Sequence, residues 1–492
     1  MDIRMKPRHI LRFGFLALIL CVFLIGCAVG LQPVNEDKAM GQQVAQEVES
    51  TMGIYNDPQL TPYLAAVGRR LLAMNEDKRF SYTFNIVDQA ESNAFAAPGG
   101  YIYVSRGMLA LTNSEDELAN IVGHEIIHVS RRHTAQQVAK AQVPGLLSLP
   151  GRVVGGVLSE RLGNLINAPI NMAGGAFIAK HSREAEFESD RYGQELAARS
   201  GYDPEALATS LYRLEQEARL MTGKERKAGF FDTHPMTPDR IERLTRDAQN
   251  IEWKRQPGVV GDTAAYLRRL DGLLIGPNPA HGVVQGRKIL HPALDFSVTF
   301  PEGWQVINTR RAAIAVEPNQ EALLVMSIAG KNVAPRQAAD ELKRGLEKRY
   351  GAKPSHSRDV KIGPYPGHLV TYTDNSGREP MHIHFLWFAY RGLLYQYVGL
   401  GPERLRPTLG DAALSFRPLT DAERSGIKEM RLRVVPAKDG DTLPQLSVRE
   451  HNALETEYTA VINGIDAGKP LRAGQLVKIV VLKPYSGPTH NP

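Results

Sequence analysis

The fold is decided by the stretch Ser114-Glu115-Asp116-Glu117-Leu118-Ala119-Asn120-Ile121-Val122-Gly123-His124-Glu125-Ile126-Ile127-His128. Its first four residues have the form of a capping box, so we expect a helix to begin there and to run towards His133. His124 and His128 are four positions apart and share one face of that helix, where both imidazoles can reach one metal ion. Glu125 then lies beside the metal as a general base. The alternative is a solvated helix with two surface histidines.

A catalytic zinc ion needs a third protein ligand and an open position. The position at which a longer histidine motif would supply a third imidazole is Thr134. A later helix offers carboxylates instead. Glu186 and Asp190 are four apart, so Glu186 can ligate the metal while Asp190 hydrogen-bonds a ligand imidazole. The competing ligands on the same helix are Glu184 and Glu188.

Other elements surround this helix. Alternating apolar residues predict a strand over 80–87 and, after the turn Pro98-Gly99-Gly100, a second strand over 101–104. Apolar residues at three- and four-residue spacing predict two helices between residues 34 and 72, and another over 182–198. These patterns indicate a mainly helical unit with a small β-sheet.

The N-terminal residues indicate the compartment. Four basic residues precede an apolar run, Phe13–Ile25, that is too short to be read first as a spanning helix. The run ends in Leu24-Ile25-Gly26-Cys27, which resembles a bacterial lipobox and implies removal of 1–26 and a lipid on Cys27. Ala28 stands where an inner-membrane retention signal would place Asp, which favours an outer-membrane lipoprotein facing the periplasm. A plain signal peptide or an uncleaved anchor is the alternative.

Charge and cysteine content limit the possible partners and the way the chain is stabilised. The 492 residues carry a formal net charge of +6, and the segment before Cys27 holds four Lys/Arg and one Asp, so its removal leaves +3. This balance does not favour nucleic acid as a partner. Cys21 lies inside the apolar run, so the mature chain keeps one cysteine and depends on its hydrophobic cores rather than on disulfides.

Four separated motifs follow one another along the chain: Asn93-Ala94-Phe95-Ala96-Ala97-Pro98-Gly99-Gly100, Glu117 to His128 with His133, Ser182 to Asp190, and Thr233-His234-Pro235 with Arg240. Together they resemble the HtpX and CAAX-prenyl-protease family of gluzincin metallopeptidases, especially its periplasmic lipoprotein and mitochondrial branch. The resemblance implies a zincin-type domain with one Zn²⁺ per chain on His124, His128 and Glu186. It also implies that Glu125 is the catalytic base, with Asp190 behind the ligands.

The same resemblance implies that the strand Tyr101-Ile102-Tyr103-Val104 is a sheet edge, to which an extended substrate adds as a further strand. His234 is assigned to the active site, where it either stabilises the oxyanion or acts as a fourth ligand that keeps the enzyme latent. A turn histidine fixed by Pro235 is the remaining alternative. Arg240 is expected to hold its loop through a salt bridge rather than to contact the substrate.

The complete chain is predicted to be an α+β multidomain protein. After the signal segment, the metallopeptidase domain covers 27–255 and a linker rich in Gly and Pro covers 256–289. The stretch Phe296–Trp304 resembles the opening of the α/β PsbP-like fold, assigned to 290–420. Within it we expect a helix over 335–350 and a strand over 381–390, with His382 and His384 as ordinary strand residues.

A small unit at 430–483 is similar to a LysM module. The residues that carry this similarity are Gly440-Asp441-Thr442, Asn463-Gly464, Leu471, Gly474-Gln475 and Lys478-Ile479. The similarity implies a peptidoglycan-type glycan as a partner. The apolar stretch 143–179 is either a flap or membrane-surface contact, or a helical hairpin packed on the domain.

The first functional hypothesis is a zinc endopeptidase of the bacterial cell envelope that hydrolyses unfolded or misassembled envelope proteins in quality control. The second is a latent or inactive chaperone or adaptor with a metallopeptidase fold, tethered to the outer membrane and the cell wall. In a third hypothesis, the C-terminal modules dominate and act as a cell-wall tether.

Overall fold

The computed structural model describes residues 34–141, 181–221, 229–375, 377 and 379–487. Three predicted features lie outside these residues: the signal segment 1–26, the lipidated Cys27 and the apolar stretch 143–179. In the described part, no helix combines the length and the apolar composition that crossing a membrane requires. The predicted α+β multidomain class is confirmed, because a helical first part is followed by a sheet-rich part and a small C-terminal unit.

The first part packs helices around a small sheet. Its described helices are α1 Val34–Thr51, α2 Leu60–Met74, α3 Arg106–Leu111, α4 Glu115–Ser130, α5 His133–Ala141, α6 Arg183–Arg199, α7 Ala206–Leu220, α8 Phe230–Thr233 and α9 Arg240–Gln249. Its strands are β1 Thr83–Val87, β2 Ala94–Ala97 and β3 Tyr101–Ser105. Every residue of α4 is buried, so the helix with the two histidines is the centre of this core.

Side chains fix the start of α4, and a turn of the backbone fixes its end. Ser114 accepts a hydrogen bond from the backbone N of Glu117 at 3.2 Å, as the capping pattern predicts. The Glu117 carboxylate accepts from the backbone N of Asn113 at 2.7 Å and pairs with Arg213 at 2.5 Å. The helix ends at Ser130 because the chain turns at Arg132, whose φ is 61°. The single helix predicted to run to His133 is therefore two helices.

A pair of glycines brings α6 against α4. Gly123 lies on α4 and Gly193 on α6, and a Cβ added to Gly193 would come within 3.1 Å of the backbone N and Cα of His124. Any larger residue would push the two helices apart. The close approach places the first turn of α6 beside the two histidines.

The small sheet has the order β1-β3-β2. Strand β1 pairs with β3 in parallel, and β2 pairs with β3 antiparallel through the turn Pro98–Gly100. The prediction that Tyr101–Val104 forms a sheet edge is therefore wrong, because both sides of β3 are hydrogen-bonded. The edge strand near α4 is β2, and it packs against α4 and α8.

The segment 256–289, assigned above to a linker, contains the helix α10 Thr263–Arg269 and the short strand β4 Leu274–Ile275. The side chains of Tyr266 and Leu270 are buried in the core of the first part. The guanidinium of Arg106 donates to the carbonyl oxygens of Leu274 at 2.5 Å and Gly276 at 3.1 Å. This segment is thus fixed to the first part and is not a free spacer.

The sheet-rich part follows. Its strands are β5 Val283–Gln285, β6 Lys288–His291, β7 Phe296–Thr299, β8 Gln305–Asn308, β9 Ala312–Val316, β10 Leu323–Lys331, β11 His356–Ile362, β12 Tyr365–Asp374, β13 Met381–Tyr390 and β14 Leu393–Pro402. Its helices are α11 Pro335–Tyr350, α12 Thr408–Leu414 and α13 Asp421–Gly426. Seven strands form an antiparallel sheet in the order β11-β12-β13-β14-β10-β9-β8. Helix α11 and strand β13 have the bounds that the sequence predicts.

The C-terminal unit has the order strand, helix, helix, strand: β15 Lys428–Pro436, α14 Leu443–Arg449, α15 Thr456–Asn463 and β16 Leu476–Pro484. Strand β4 pairs with β15, and Leu432 and Ile462 are buried in the core of the first part. The ammonium of Lys478 donates to the carbonyl oxygens of Ala110 at 2.5 Å and Thr112 at 3.0 Å. Burial, with Arg213 nearby, lowers the pKa of Lys478 well below its usual range. The unit is therefore docked on the helical part.

We expect Lys478→Met to weaken this docking. The substitution removes the donor from two buried carbonyl oxygens, which costs about 1–3 kcal/mol of unfolding free energy. The urea midpoint of the purified protein measures the loss. Lys483→Met, on the exposed end of the same strand, is the matched control. Equal midpoints for the two variants would contradict the docking role of Lys478.

Candidate metal centre

Four donor groups converge at the centre of the first part. His124, His128, Glu186 and His234 are all buried, and their donor atoms lie within 4.8 Å of one another. The Nε2 atom of His124 is 3.0 Å from Nε2 of His128 and 3.3 Å from Nδ1 of His234. The Oε1 atom of Glu186 is 3.0 Å from Nδ1 of His234 and 3.3 Å from Nε2 of His128. Ligand atoms around a tetrahedral zinc ion lie about 3.3 Å apart, so this cluster can hold a metal ion.

The chemistry of the donors also fits a cation. Burial and the neighbouring His181 lower the pKa of His128 well below its usual range, so this imidazole is neutral and offers a lone pair. Burial lowers the pKa of His124, but Asp190 and Glu186 outweigh it and raise that pKa to about 9. Two imidazole nitrogens 3.0 Å apart repel unless a proton or a cation lies between them. Metal ions displace such protons when they bind.

Glu186 is the carboxylate of α6 that faces the histidines. Ser182 begins the helix by accepting a hydrogen bond from the backbone N of Ala185 at 3.2 Å, which places Glu186 in the first turn. Glu184 is exposed, and Glu188 is directed away to His133 at 3.0 Å. Of the carboxylates that the sequence leaves open, the structure brings Glu186 into the cluster.

Asp190 and Arg240 lie behind the donor atoms. Oδ1 of Asp190 is 3.1 Å from Nδ1 of His124, which directs Nε2 of that ring into the cluster. Arg240 forms the salt bridge expected of it, with Nη2 2.8 Å from Asp190 Oδ1 and 2.9 Å from Glu186 Oε2. Burial raises the pKa of Asp190, but Arg240 and His124 outweigh it and hold the pKa below its usual range. Asp190 is therefore ionised, with the Arg240 guanidinium as its counter-charge.

Glu125 and His234 are both fully buried and lie beside each other at the cluster. The Glu125 carboxyl is fully buried, and its Oε1 is 3.4 Å from Nε2 of His234. Burial raises the pKa of Glu125, while His234 and His124 oppose that shift. The Phe230 ring stacks on His234 at 4.2 Å between centroids. His234 therefore contacts the donor cluster through one ring nitrogen and Glu125 through the other.

Two further histidines, His181 and His133, contact His128 of the donor cluster. His181, which the sequence analysis does not single out, stacks on His128 at 3.9 Å, and its pKa falls to about 3 because of burial and the neighbouring His234. Its position directly before the N-cap of α6 is the sequence signal that was missed. His133, included in the helix motif, contacts His128 through Nδ1 at 3.2 Å. His382 lies elsewhere and bonds Glu403, as an ordinary strand residue does.

A buried H-E-x-x-H helix that receives a glutamate from a following helix defines a metallopeptidase domain of the gluzincin type. Residues 58–248 match the family model described as Peptidase family M48. The gluzincin resemblance read from the motifs is therefore confirmed.

Two relatives show how far the similarity extends. The beta-barrel assembly-enhancing protease of Yersinia pestis is 29% identical over 252 residues, which are 49% of this chain and 49% of the relative. The mitochondrial metalloendopeptidase OMA1 of Schizosaccharomyces pombe is 27% identical over 226 residues, covering 45% of this chain and 63% of the relative. This chain thus spans about half the length of the first of these relatives.

Among solved structures, one shows a low overall similarity to this chain. The solution structure of cyanobacterial PsbP (CyanoP) from Synechocystis sp. PCC 6803 is 11% identical to this chain. The match covers 29% of this chain and 98% of that one, with a TM-score of 0.23.

We expect Asp190→Asn to weaken metal binding. The amide keeps the shape of the side chain but loses the charge that orients His124 and balances Arg240. Such changes behind a ligand cost about 10- to 100-fold in metal affinity. Competition between the protein and a chelator for Zn²⁺ measures the change. Glu195→Gln, in a surface pair on the same helix, is the control, and an affinity equal to that control would contradict the role of Asp190.

Proposed function

We propose that this protein is a zinc-dependent endopeptidase. The observation that carries the proposal is the buried donor cluster with the Glu125 carboxyl directly beside it. His124, His128 and Glu186 would hold one Zn²⁺ per chain. When bound, zinc supplies Lewis acidity, which polarises a substrate carbonyl and lowers the pKa of water.

Glu125 serves as the general base and then as the general acid. Its carboxylate takes a proton from the attacking water and delivers it to the amine that leaves when the peptide bond breaks. Burial raises its pKa, which makes the carboxylate a stronger base towards the proton of the attacking water. Asp190 and Arg240 keep the ligand side chains in place during these transfers.

The substrate chain adds as an extended strand to the outer edge of β2. No described strand pairs with that edge, and β2 packs against α4, which carries Glu125. Backbone hydrogen bonds of this kind tolerate many sequences. They suit unfolded segments, whose backbone groups are free to pair.

The substrates we propose are unfolded or misassembled envelope proteins. The name of the Yersinia pestis relative, a beta-barrel assembly-enhancing protease, supports this choice. A lipid on Cys27 would hold the enzyme at the outer membrane, facing the periplasm. The LysM-like unit at 430–483 would add contact with peptidoglycan, and the sheet-rich part at 290–420 would serve as a scaffold.

We expect Glu125→Gln to retain equimolar zinc and to lose proteolysis. The amide cannot accept the proton, and a general base contributes about 10²- to 10⁴-fold to a rate. Cleavage of unfolded casein by wild type and variant, with metal content measured on the same samples, tests the assignment. Undiminished cleavage by Glu125→Gln would rule out this mechanism.

We further propose that the conformation described here is a latent one. His234 places Nδ1 in the donor cluster, 3.0 Å from Glu186 Oε1 and 3.3 Å from His124 Nε2. A catalytic zinc site keeps one position open for water or substrate. His234 would therefore have to move before water can enter. Its contact with Glu125 would be broken in the same movement.

We expect His234→Ala to raise the rate of casein cleavage several-fold at unchanged zinc content, because the fourth donor is removed. The exposed His356→Ala variant is the control for loss of an unrelated histidine. A loss of cleavage in His234→Ala would contradict latency and would assign His234 to stabilising the oxyanion. Absence of cleavage in every form, with zinc bound, would favour the chaperone or adaptor.

A further inference from the structure

A cavity of about 290 Å³ lies between the helical part and the C-terminal unit. Helices α7 and α8 form one side, and residues of the C-terminal unit form the other. Its lining includes Leu214, Glu217, Phe230, Met430, Leu454 and Tyr458. The two parts of the chain are both needed to enclose it.

This cavity is close to the donor cluster. Phe230 lines it and also stacks on His234 at 4.2 Å between ring centroids. The backbone N of Phe230 donates to the carbonyl oxygen of Ser92 at 3.0 Å, and Ser92 lines the cavity two residues before β2 begins. The cavity therefore lies beyond the N-terminal end of β2, one aromatic ring away from His234.

A peptide paired with β2 would pass this opening. Alternate residues of an extended chain project to the same side. A side chain that leaves the peptide beyond the end of β2 can thus enter the cavity while the backbone stays at the edge strand. At about 290 Å³ the cavity is smaller than most sites for complete small-molecule ligands, so it suits one part of a larger ligand.

The residues that line the cavity determine which kind of side chain it can bind. Its walls are largely apolar, from Leu214, Phe230, Met430 and Leu454, and the Glu217 carboxyl is half-buried among them. Oε1 of Glu217 accepts a hydrogen bond from the hydroxyl of Tyr458 at 2.8 Å. None of the described lining residues is Lys, Arg or His.

A carboxyl at an apolar wall is complementary to a side chain with an apolar stem and a cationic end. Burial raises the pKa of Glu217, and a bound cation would favour its ionised form. Lysine and arginine have this combination of stem and charge.

We propose that this cavity binds one lysine or arginine side chain of the peptide substrate, with Glu217 as the group that recognises its charge. The C-terminal unit then contributes to specificity as well as to stability. The proposal rests on the proposed endopeptidase function, because it assigns a side-chain pocket to that substrate.

The test measures binding rather than cleavage, so it can be read even if no peptide is hydrolysed. Two series of fluorescent peptides carry arginine or norleucine at each position in turn and are otherwise identical. Each peptide is titrated with the Glu125→Gln protein, and fluorescence anisotropy gives Kd. We expect arginine to bind about tenfold more tightly than norleucine at one position, the size of a hydrogen bond to a charged group. Adding Glu217→Gln should bring the ratio of the two Kd values close to one.

Glu215→Gln is the matched control, because Glu215 lies on the same helix in a surface pair with Arg219. It should preserve the preference for arginine. Met430→Trp, which fills the cavity from the C-terminal unit, should weaken binding of the arginine peptide while the unfolding temperature stays close to that of wild type.

The proposal is overturned if no position prefers arginine, or if the preference survives Glu217→Gln. Casein cleavage by the wild-type and His234→Ala proteins distinguishes failure of the pocket proposal from failure of the proposed endopeptidase function. Cleavage with no arginine preference contradicts the pocket alone, whereas absence of both peptide binding and cleavage contradicts the proposed function as well.

Discussion

The carboxylates of Glu186 and Asp190 are buried, and a carboxylate that stays ionised when buried requires a compensating positive charge or hydrogen bonds. Arg240 meets this requirement for both groups at once, with Nη2 at 2.9 Å and 2.8 Å from their oxygens. Breaking a buried pair of this kind costs about 3–5 kcal/mol. The pairing ties α9 to α6. Through Asp190 it also fixes the ring of His124 on α4.

This network explains why distant segments meet at one point. The glycine contact between α4 and α6 sets the distance between the histidines and Glu186, and the short helix α8 delivers His234 to the same place. Strand β2 lies against both α4 and α8. The C-terminal unit, held by Lys478 and by a shared core, closes the space behind α8. The donor cluster, the edge strand and the neighbouring cavity are therefore parts of one packed assembly.

Much of the site could be predicted because its residues lie at helical spacing, as His124 and His128 do. The strand at the edge of the small sheet could not be predicted from the sequence. Parallel pairing of β1 with β3 joins segments that are far apart in sequence, and the alanine-rich β2 has weak strand propensity. The docking of residues 256–289 and of Lys478 was also missed, because an apolar residue or a lone lysine does not reveal which part of the chain it contacts. Local patterns specify elements, whereas long-range packing decides their neighbours.

In the latent conformation that we propose, His124, His128, Glu186 and His234 share one metal ion. X-ray absorption at the zinc edge of the purified protein tests it most directly, with His234→Ala measured beside it. We predict three imidazole nitrogens and one carboxylate oxygen around zinc in the wild type, and one imidazole fewer in the variant. The same number of imidazole nitrogens in both proteins would show that His234 is not a ligand, and absence of zinc from both would contradict the metal centre itself.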